Sequence, residues 1–337
     1  MSVFAASSGA VHGARFAQGM ALAVVGAMGF AGKAILAKLM YRHGVDAVTV
    51  VAWRMLLALP LFVAMAWWAG RGAPALTRRD AMTIGALGFS GYYLSSMLDF
   101  YGLMYITASL ERLILYLGPT FVMVLAVVVL KKRVTARQWL AAGMSYAGVL
   151  VVFGHELLEP SPLAAAAAAG VMLDAAQAVP LAAAPLAASS PTGAAATVFG
   201  AALVLASAIS YSGYLLASGE VVARLGSLRL TGLASSVAGV LCLLHFAVVH
   251  PLSAMAVPEP VMWMSLLNAL LCTVMPVLAV MMAIERIGPA LSSQVGMIGP
   301  LATIALGVYL LGEPLTLWIV VGTVLVLLGV GLLARWR

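Results

Sequence analysis

Five ionisable side chains stand inside stretches apolar enough to belong in a bilayer: Lys33, Arg54, Asp99, Glu111 and Arg112. Three of them fall within residues 98–120, LDFYGLMYITASLERLILYLGPT. A charged group in hydrocarbon is expensive unless it is paired, wetted or used, so each is a candidate for ion pairing, solute recognition or proton carriage. The set carries one surplus positive charge, which suits a carboxylate, a phosphate or one end of a zwitterion. Arg54 is the best anion-binding candidate. It has no neighbour in its own apolar run to neutralise it, and its rigid fork matches a carboxylate. Glu111 is the best proton-coupling candidate, because its protonation would respond to burial and to the arginine beside it as a site opens. A purely structural reading stands alongside. In it, Asp99 pairs with Arg112, Glu111 holds Arg54 or Lys33, and Lys33 snorkels outward along its stem.

Other residues with possible roles carry weaker signals. Pro119 and Pro300 interrupt the main-chain ladder inside apolar runs, either as simple kinks or as helix breaks that expose carbonyls to a solute. Tyr105 joins Tyr92, Tyr93, Tyr101 and Tyr116 as a candidate aromatic route or an interface belt. Gly26, Gly29 and Gly32 recur every third residue and let another helix approach closely. His245 could carry protons near neutral pH. Asp99, Glu111 and His245 offer acid–base groups for an enzyme acting on lipid, but no nucleophile–base spacing, phosphate loop or metal-ligand cluster accompanies them. No catalytic residue, metal site or cofactor is therefore assigned. Cys242 and Cys272 both lie in apolar runs and form no CxxC motif.

The elements that must position these residues are membrane helices. The chain is 64% hydrophobic and only 9% charged, where soluble domains run near 25% charged. Ten apolar runs emerge at residues 19–40, 47–68, 82–103, 108–130, 139–153, 197–217, 231–250, 261–283, 290–311 and 315–333. Most are long enough to cross a core about 30 Å thick at 1.5 Å rise per residue, and they lack the alternation of barrel strands. Turn and charge signals separate them, among them Lys131-Lys132-Arg133, Gly288-Pro289 and Gly312-Glu313-Pro314. The net charge of +7 is spread over short loops, so it reads as an orientation signal rather than a nucleic-acid footprint. With the N-terminus inside, thirteen Lys and Arg fall on inner segments and two, Lys38 and Arg42, on the outer side. Both termini are then expected in the cytoplasm, and Trp67, Trp68 and Trp139 read as inner interface anchors. The apolar run after the first sixteen residues is too long for a signal-peptide core, so it is kept as a span. Residues 154–196 hold no Lys or Arg and are rich in Ala and Pro. They are expected to form an extracytoplasmic linker, dispensable for insertion, rather than an eleventh span.

The second half echoes the first at an offset of 181 positions. Gly118-Pro119 meets Gly299-Pro300, Thr135 meets Thr316, and Gly148-Val149 meets Gly329-Val330. Each half holds five spans, and an odd number forces the halves to run in opposite directions. That is the inverted repeat of many transporters, with the solute site between the halves. The expected fold is an all-α polytopic membrane protein of ten transmembrane helices, divided into residues 1–153 and 197–337 around the 154–196 linker.

The chain resembles the ten-span EamA-like family of the drug/metabolite transporter superfamily. The resemblance covers all ten spans but not the linker. Lys38 stands where members carry a basic residue near the outer end of span one. Arg54 stands at the arginine of span two, with Met55 where phenylalanine is usual. Tyr105-Ile106-Thr107-Ala108 is a looser form of the family's turn into span four, followed by Pro119. Glu313 keeps the Gly-Glu pair that closes span nine, whereas Lys131-Lys132 replaces it after span four. The string ITASLERLILYLGPT is similar to a bacterial subgroup. The resemblance implies secondary transport, by export or exchange, of small polar or amphipathic metabolites such as amino acids or organic acids. It implies a bacterial inner membrane, a solute partner and a coupled proton, and it leaves a homodimer open. The alternative is a membrane-embedded binding or assembly protein whose charges serve only as structural pairs.

Overall fold

A computed structural model describes residues 2–131, 134–158, 193–296 and 298–335, and among these all regular structure is helical. The first half comprises α1 (Ser2–Tyr41), α2 (Ala47–Gly70), α3 (Arg78–Leu87), a π-helical turn (Gly88–Leu94), α4 (Ser95–Leu103), α5 (Ala108–Leu115), α6 (Gly118–Leu130) and α7 (Ala136–Leu158). The second half begins with α8 (Gly193–Leu225), α9 (Ser227–Val249) and a 3-10 turn (Leu252–Met255). It continues through α10 (Glu259–Ala269), a π turn (Leu270–Val274), α11 (Met275–Gly296), α12 (Ile298–Leu306), a π turn (Gly307–Leu311) and α13 (Leu317–Arg335). Among the described residues seven helices are long and apolar enough to cross a membrane, and Ile298–Leu311 and Leu317–Leu332 are shorter apolar helices. The composite run 78–103 starts with Arg78, Arg79 and Asp80 and then turns apolar. Ten helical runs result, each satisfying its own backbone groups as hydrocarbon demands.

The surface is that of a lipid-facing protein. Leu61, Val63, Leu150, Leu244 and Leu328, all well inside their helices, are exposed. In water such a band would be an aggregation surface; against acyl chains it costs nothing. Trp67 and Trp68, at the C-terminal end of α2, and Trp139, at the N-terminal end of α7, are also exposed, at helix ends where interface anchors stand. The Arg71 guanidinium stacks on Trp67 with 3.7 Å to the ring centroid.

Glycines set the closest helix contacts, and they fix directions. A Cβ on Gly19 would strike Ile287, one on Gly26 would strike Val280, and one on Gly32 would meet the Cys272 sulfur. As α1 ascends, α11 therefore descends, and the expected close approach at Gly26, Gly29 and Gly32 is made with the end of the eighth run. Gly232 packs on Ala66 and Gly239 on Leu59, so α2 and α9 are antiparallel. Gly148 packs on Gly322, and Gly329 packs on Ala141 and Ser145, so α7 and α13 are antiparallel too. These are runs two and seven, and five and ten. Counterpart runs of the two halves thus lie side by side in opposite directions, as an opposed pair of five-helix halves requires.

Several boundaries differ from expectation. Run five was the shortest apolar stretch, yet α7 extends through His155 and Glu156 to 23 residues, because hydropathy discounts a charged last turn that the helix retains. Run six starts at Gly193 rather than Thr197. A break was expected at Gly288-Pro289, but α11 continues to Gly296. The chain still reverses near there. Ile287 lies against Gly19, whereas Gly299 lies between the Tyr116 hydroxyl and the Ala27 carbonyl, and Thr303 Oγ1 donates to Ala31 O at 3.4 Å. The ninth run therefore ascends with α1, starting about two turns deeper in the bilayer than residue 290 would have placed it. Most of the linker, including Asp174 and Pro180, lies outside the described residues, as do Lys132 and Arg133.

Candidate functional site

The π turn Gly88–Leu94 precedes α4 and sets the rotation of that helix. Such bulges recur where function needs a side chain re-aimed. Serine contacts hold α4 in place: Ser95 Oγ lies 3.0 Å from Ser207 Oγ, and Ser207 Oγ donates to Ser95 O at 2.8 Å. The adjoining stripe of α4 presents Ser96, Asp99 and Phe100, spaced i, i+3 and i+4 and therefore on one face. This stripe meets α1 and α2.

Lys33 on α1 forms an ion pair with Asp99 Oδ2. Its Nζ also lies 3.3 Å from Glu111 Oε1. That second contact lacks hydrogen-bond alignment, since neither Glu111 oxygen has a hydrogen-bond partner; the attraction is Coulombic. Arg112 places its Nε 3.8 Å from Glu111 Oε2 and donates to the Phe30 carbonyl at 2.7 Å. Arg54 makes no ion pair among the described residues. One of its terminal nitrogens donates to Ser96 Oγ at 3.0 Å, its guanidinium carbon lies 4.6 Å from the Phe100 ring centroid, and its Nε has no partner. Tyr41 donates to Phe100 O at 2.8 Å and fixes that stretch of α4. Glu111 is fully buried, and Arg54, Asp99 and Arg112 are each less than a tenth exposed.

The five charges predicted to converge are thus together; Glu111 lies beside Lys33, as one expected pairing had it, but Asp99 pairs with Lys33 rather than Arg112. Asp99 and Arg112 were read as partners across an antiparallel helix pair. Helical rise gives their common level but not their azimuth. The structure inserts Lys33 between Asp99 and Glu111, and it turns Arg112 toward α1. Lys33 is therefore bound inside the cluster rather than snorkelling. Arg54 is left as the cation without a carboxylate.

Pro119 and Pro300 fall in the first turns of α6 and α12, where a missing N–H costs no helical bond. Span four is consequently discontinuous: α5 ends at Leu115, Tyr116 and Leu117 turn, and α6 restarts at Gly118. Tyr116 Oη donates to Gly296 O, so the break in span four meets the start of the ninth run. The other tyrosines do not form one route. Tyr92 gathers with Tyr211 and Tyr214, with 5.1 Å between the Tyr92 and Tyr214 rings. Tyr93 Oη lies 2.6 Å from His245 Nδ1. Tyr105 packs edge-on against Phe199 at 5.3 Å, on the α8 side and apart from the charges.

Sequence reasoning missed a second polar cluster at the N-terminal end of α5. Glu313 accepts hydrogen bonds from Ala108 N at 2.8 Å, Ser109 N at 3.3 Å and Ser109 Oγ at 2.9 Å. Glu156 at the end of α7 accepts from the Thr107 hydroxyl, and Thr107 Oγ1 caps the helix through Leu110 N at 3.0 Å. Two carboxylates at a helix N-terminus also complement its dipole. Gly312, with φ 71, supplies the left-handed turn that sends Glu313 back across the bundle. Lys38, counted as an outer orientation charge, is instead 1% exposed and sits in the electrostatic reach of Glu313 and Glu156. Arg42 caps the ninth run through Leu311 O at 2.5 Å. The available signal was the Gly-Glu pair before Pro314, together with a glutamate two residues from the end of α7.

The model of the EamA-like transporter family matches residues 17–154 and 198–335. The two matches are offset by the same 181 positions as the internal repeat. The chain is 28% identical over 312 residues to the "Uncharacterized transporter YcbK" of Bacillus subtilis (strain 168), covering 91% of this chain and 89% of that one. It also superposes on a solved crystal structure with a TM-score of 0.56 at 14% identity, covering 95% of this chain and 98% of the other; that likeness bears on the fold alone. With two full-length repeats matched, the chain belongs to the EamA-like transporter family of the drug/metabolite transporter superfamily and is a multi-pass membrane transporter.

Proposed function

We propose that this transporter is a secondary exporter or exchanger of small polar or amphipathic metabolites that carry a carboxylate, such as amino acids or organic acids. One observation carries the reading: Arg54 is buried and has a free Nε, while the two carboxylates of the cluster, Asp99 and Glu111, are already engaged by Lys33. A guanidinium without a counter-ion in a low-dielectric interior is costly unless an anion comes to it. Arg112, whose Nε makes no hydrogen bond and lies 3.8 Å from Glu111 Oε2, is the second donor to the solute. Lys33 and Asp99 hold the cluster together, and Tyr116, Pro119 and Pro300 shape the break beside it. Tyr105 serves the outer end rather than the binding step. Uptake of labelled amino acids, organic acids and nucleosides into inside-out vesicles, with and without a proton gradient, tests the reading. Nucleoside uptake without carboxylate uptake refutes it.

Glu111 is our candidate for proton coupling, since it is the fully buried carboxylate between Lys33 and Arg112. Glu111→Gln is expected to retain solute exchange in vesicles while losing gradient-driven accumulation. Accumulation equal to that of the parent protein removes Glu111 from the coupling step.

We also propose that the protein sits in a bacterial inner membrane with both termini cytoplasmic, and that residues 1–153 and 197–337 are the two repeats, joined by an extracytoplasmic 154–196 linker. The thirteen-to-two split of basic residues supports this orientation. Single cysteines at Gly72 and Ser189 are expected to react with an impermeant thiol reagent from opposite sides. Reaction from one side only would reverse the parity.

A further inference from the structure

Asn268 lies on α10 in the eighth run and is 0% exposed. Neither its Oδ1 nor its Nδ2 has a hydrogen-bond partner. A carboxamide carries two acceptor lone pairs and two donors, and native interiors leave such a group wholly unsatisfied only rarely. Its backbone is accounted for separately, since Thr273 Oγ1 donates to Asn268 O at 2.9 Å. The side chain alone is orphaned.

Its place in the bundle is fixed by its neighbours. Val261, Ser265, Asn268 and Cys272 form one buried stripe. Ser265 Oγ lies 3.3 Å from Met40 Sδ, and Cys272 Sγ sits against Gly32. Asn268 therefore falls between these levels of α1, in the segment that begins with Lys33. Cys272, one turn further along the same face, lies within electrostatic reach of Arg54, Arg112 and Lys33. The π turn Leu270–Val274 follows at once and offsets the helix below from the face above; such turns recur at functional sites. A buried, unpartnered amide thus stands on the span-eight wall of the charge cluster, at a register that faces α1 and α2.

We propose that Asn268 is a specificity-determining residue of the solute site, and that its carboxamide reads an uncharged hydrogen-bonding group, a hydroxyl or an amide, on the solute whose carboxylate Arg54 holds. The inference rests on the carboxylate reading of Arg54 and adds to it a second point of recognition. A site built to hydrogen-bond a hydroxyl discriminates strongly against the analogue that lacks it, because its own polar groups are then left unpaired.

The test uses pairs of labelled solutes that share charge and differ by one such group: L-serine with L-alanine, L-threonine with L-2-aminobutyrate, L-glutamine with L-norvaline, and L-malate with succinate. Each is offered to inside-out vesicles holding the parent protein, Asn268→Leu, Asn268→Ala or Arg54→Ala. The parent protein is expected to favour the hydroxyl- or amide-bearing member of at least one pair, and both Asn268 variants to reduce that preference about tenfold or more. Asn268→Leu replaces an unpaired amide by an apolar group of similar size, so its solute-free melting temperature is expected to equal or exceed that of the parent. A lower melting temperature for Asn268→Leu with an unchanged pair preference in Asn268→Ala overturns the inference and makes the amide structural. Equal uptake of both members of every pair by the parent protein overturns it as well. Loss of all uptake in Arg54→Ala alongside full pair preference in the Asn268 variants overturns this inference and keeps the carboxylate reading. Undiminished uptake in Arg54→Ala overturns the carboxylate reading itself.

Discussion

Arg54→Ala is expected to abolish solute transport while leaving a folded protein in the membrane. The two halves of that expectation come from different contacts. Arg54 neutralises no carboxylate, so its removal leaves no buried charge uncompensated; Asp99 and Glu111 keep Lys33. What the fold loses is the Ser96 hydrogen bond and the stacking on Phe100, worth about 2–5 kcal/mol together and offset by no longer burying an unpaired guanidinium. What the solute loses is a charge-assisted, bidentate partner in a dry site. Two such bonds at about 1.5–3 kcal/mol each correspond to a loss of roughly 10²-fold or more in affinity. Arg54→Lys keeps the charge and loses the planar fork, so it is expected to fall between the two. Lys33→Ala provides the contrast. It strands buried Asp99 and leaves Glu111 only the 3.8 Å contact to Arg112, at a cost of about 3–5 kcal/mol, and is expected to lower the melting temperature well below that of Arg54→Ala. Vesicle uptake and thermal melting of the three variants check the partition. A folded Arg54→Ala protein with normal uptake would return the residue to a structural role.

What could be read from the sequence divides along a physical line. Hydropathy and glycine spacing report which face of a helix is apolar and how near a neighbour can come. The runs, the opposed halves and the close packing of α1 were accordingly legible. The convergence of Lys33, Arg54, Asp99, Glu111 and Arg112 was legible too, because helical rise gives depth. Pairing within that set was legible only for Glu111 with Lys33, because depth leaves azimuth free: Arg112 turned to the Phe30 carbonyl and Lys33 took its place beside Asp99. Residues at span ends were the blind spot. Lys38, Glu156 and Glu313 look like ordinary boundary charges when each is set beside its own loop. They become a cluster only when the loop after the ninth run folds across to the start of α5, an approach separated by some 200 positions and fixed by the turn at Gly312. Asn268 was missed for the opposite reason. One neutral amide barely changes the hydropathy of its run, and only the lack of any partner marks it.

The same cross-chain contact yields the second large effect. Glu313 is the acceptor for three donors in the first turn of α5, and the next turn of that short helix carries Glu111 and Arg112. Helix α5 is cut off from α6 at Tyr116 and Leu117, so its register rests on the core packing of Leu110, Leu113 and Ile114 together with the Glu313 and Glu156 contacts at one end and the ion contacts at the other. Glu313→Ala would orphan the three donors and remove a counter-charge from buried Lys38. Each orphaned group costs about 1–3 kcal/mol when kept from water, less to the extent that Glu313, itself only partly buried, lets water in. The expected result is a clear fall in melting temperature together with loss of transport per folded molecule, because Arg112 loses its fixed position. Glu313→Gln retains an acceptor and is expected to melt higher than the alanine variant. A cysteine at Ile106, fully buried in the intact protein, supplies the structural readout. It should react with an impermeant thiol reagent in the Glu313→Ala background and resist it otherwise, over the background of buried Cys242 and Cys272. If Ile106→Cys stays protected and transport per molecule is unchanged, Glu313 is a surface cap without a hold on α5, and the coupling of the outer end to the charge cluster is wrong.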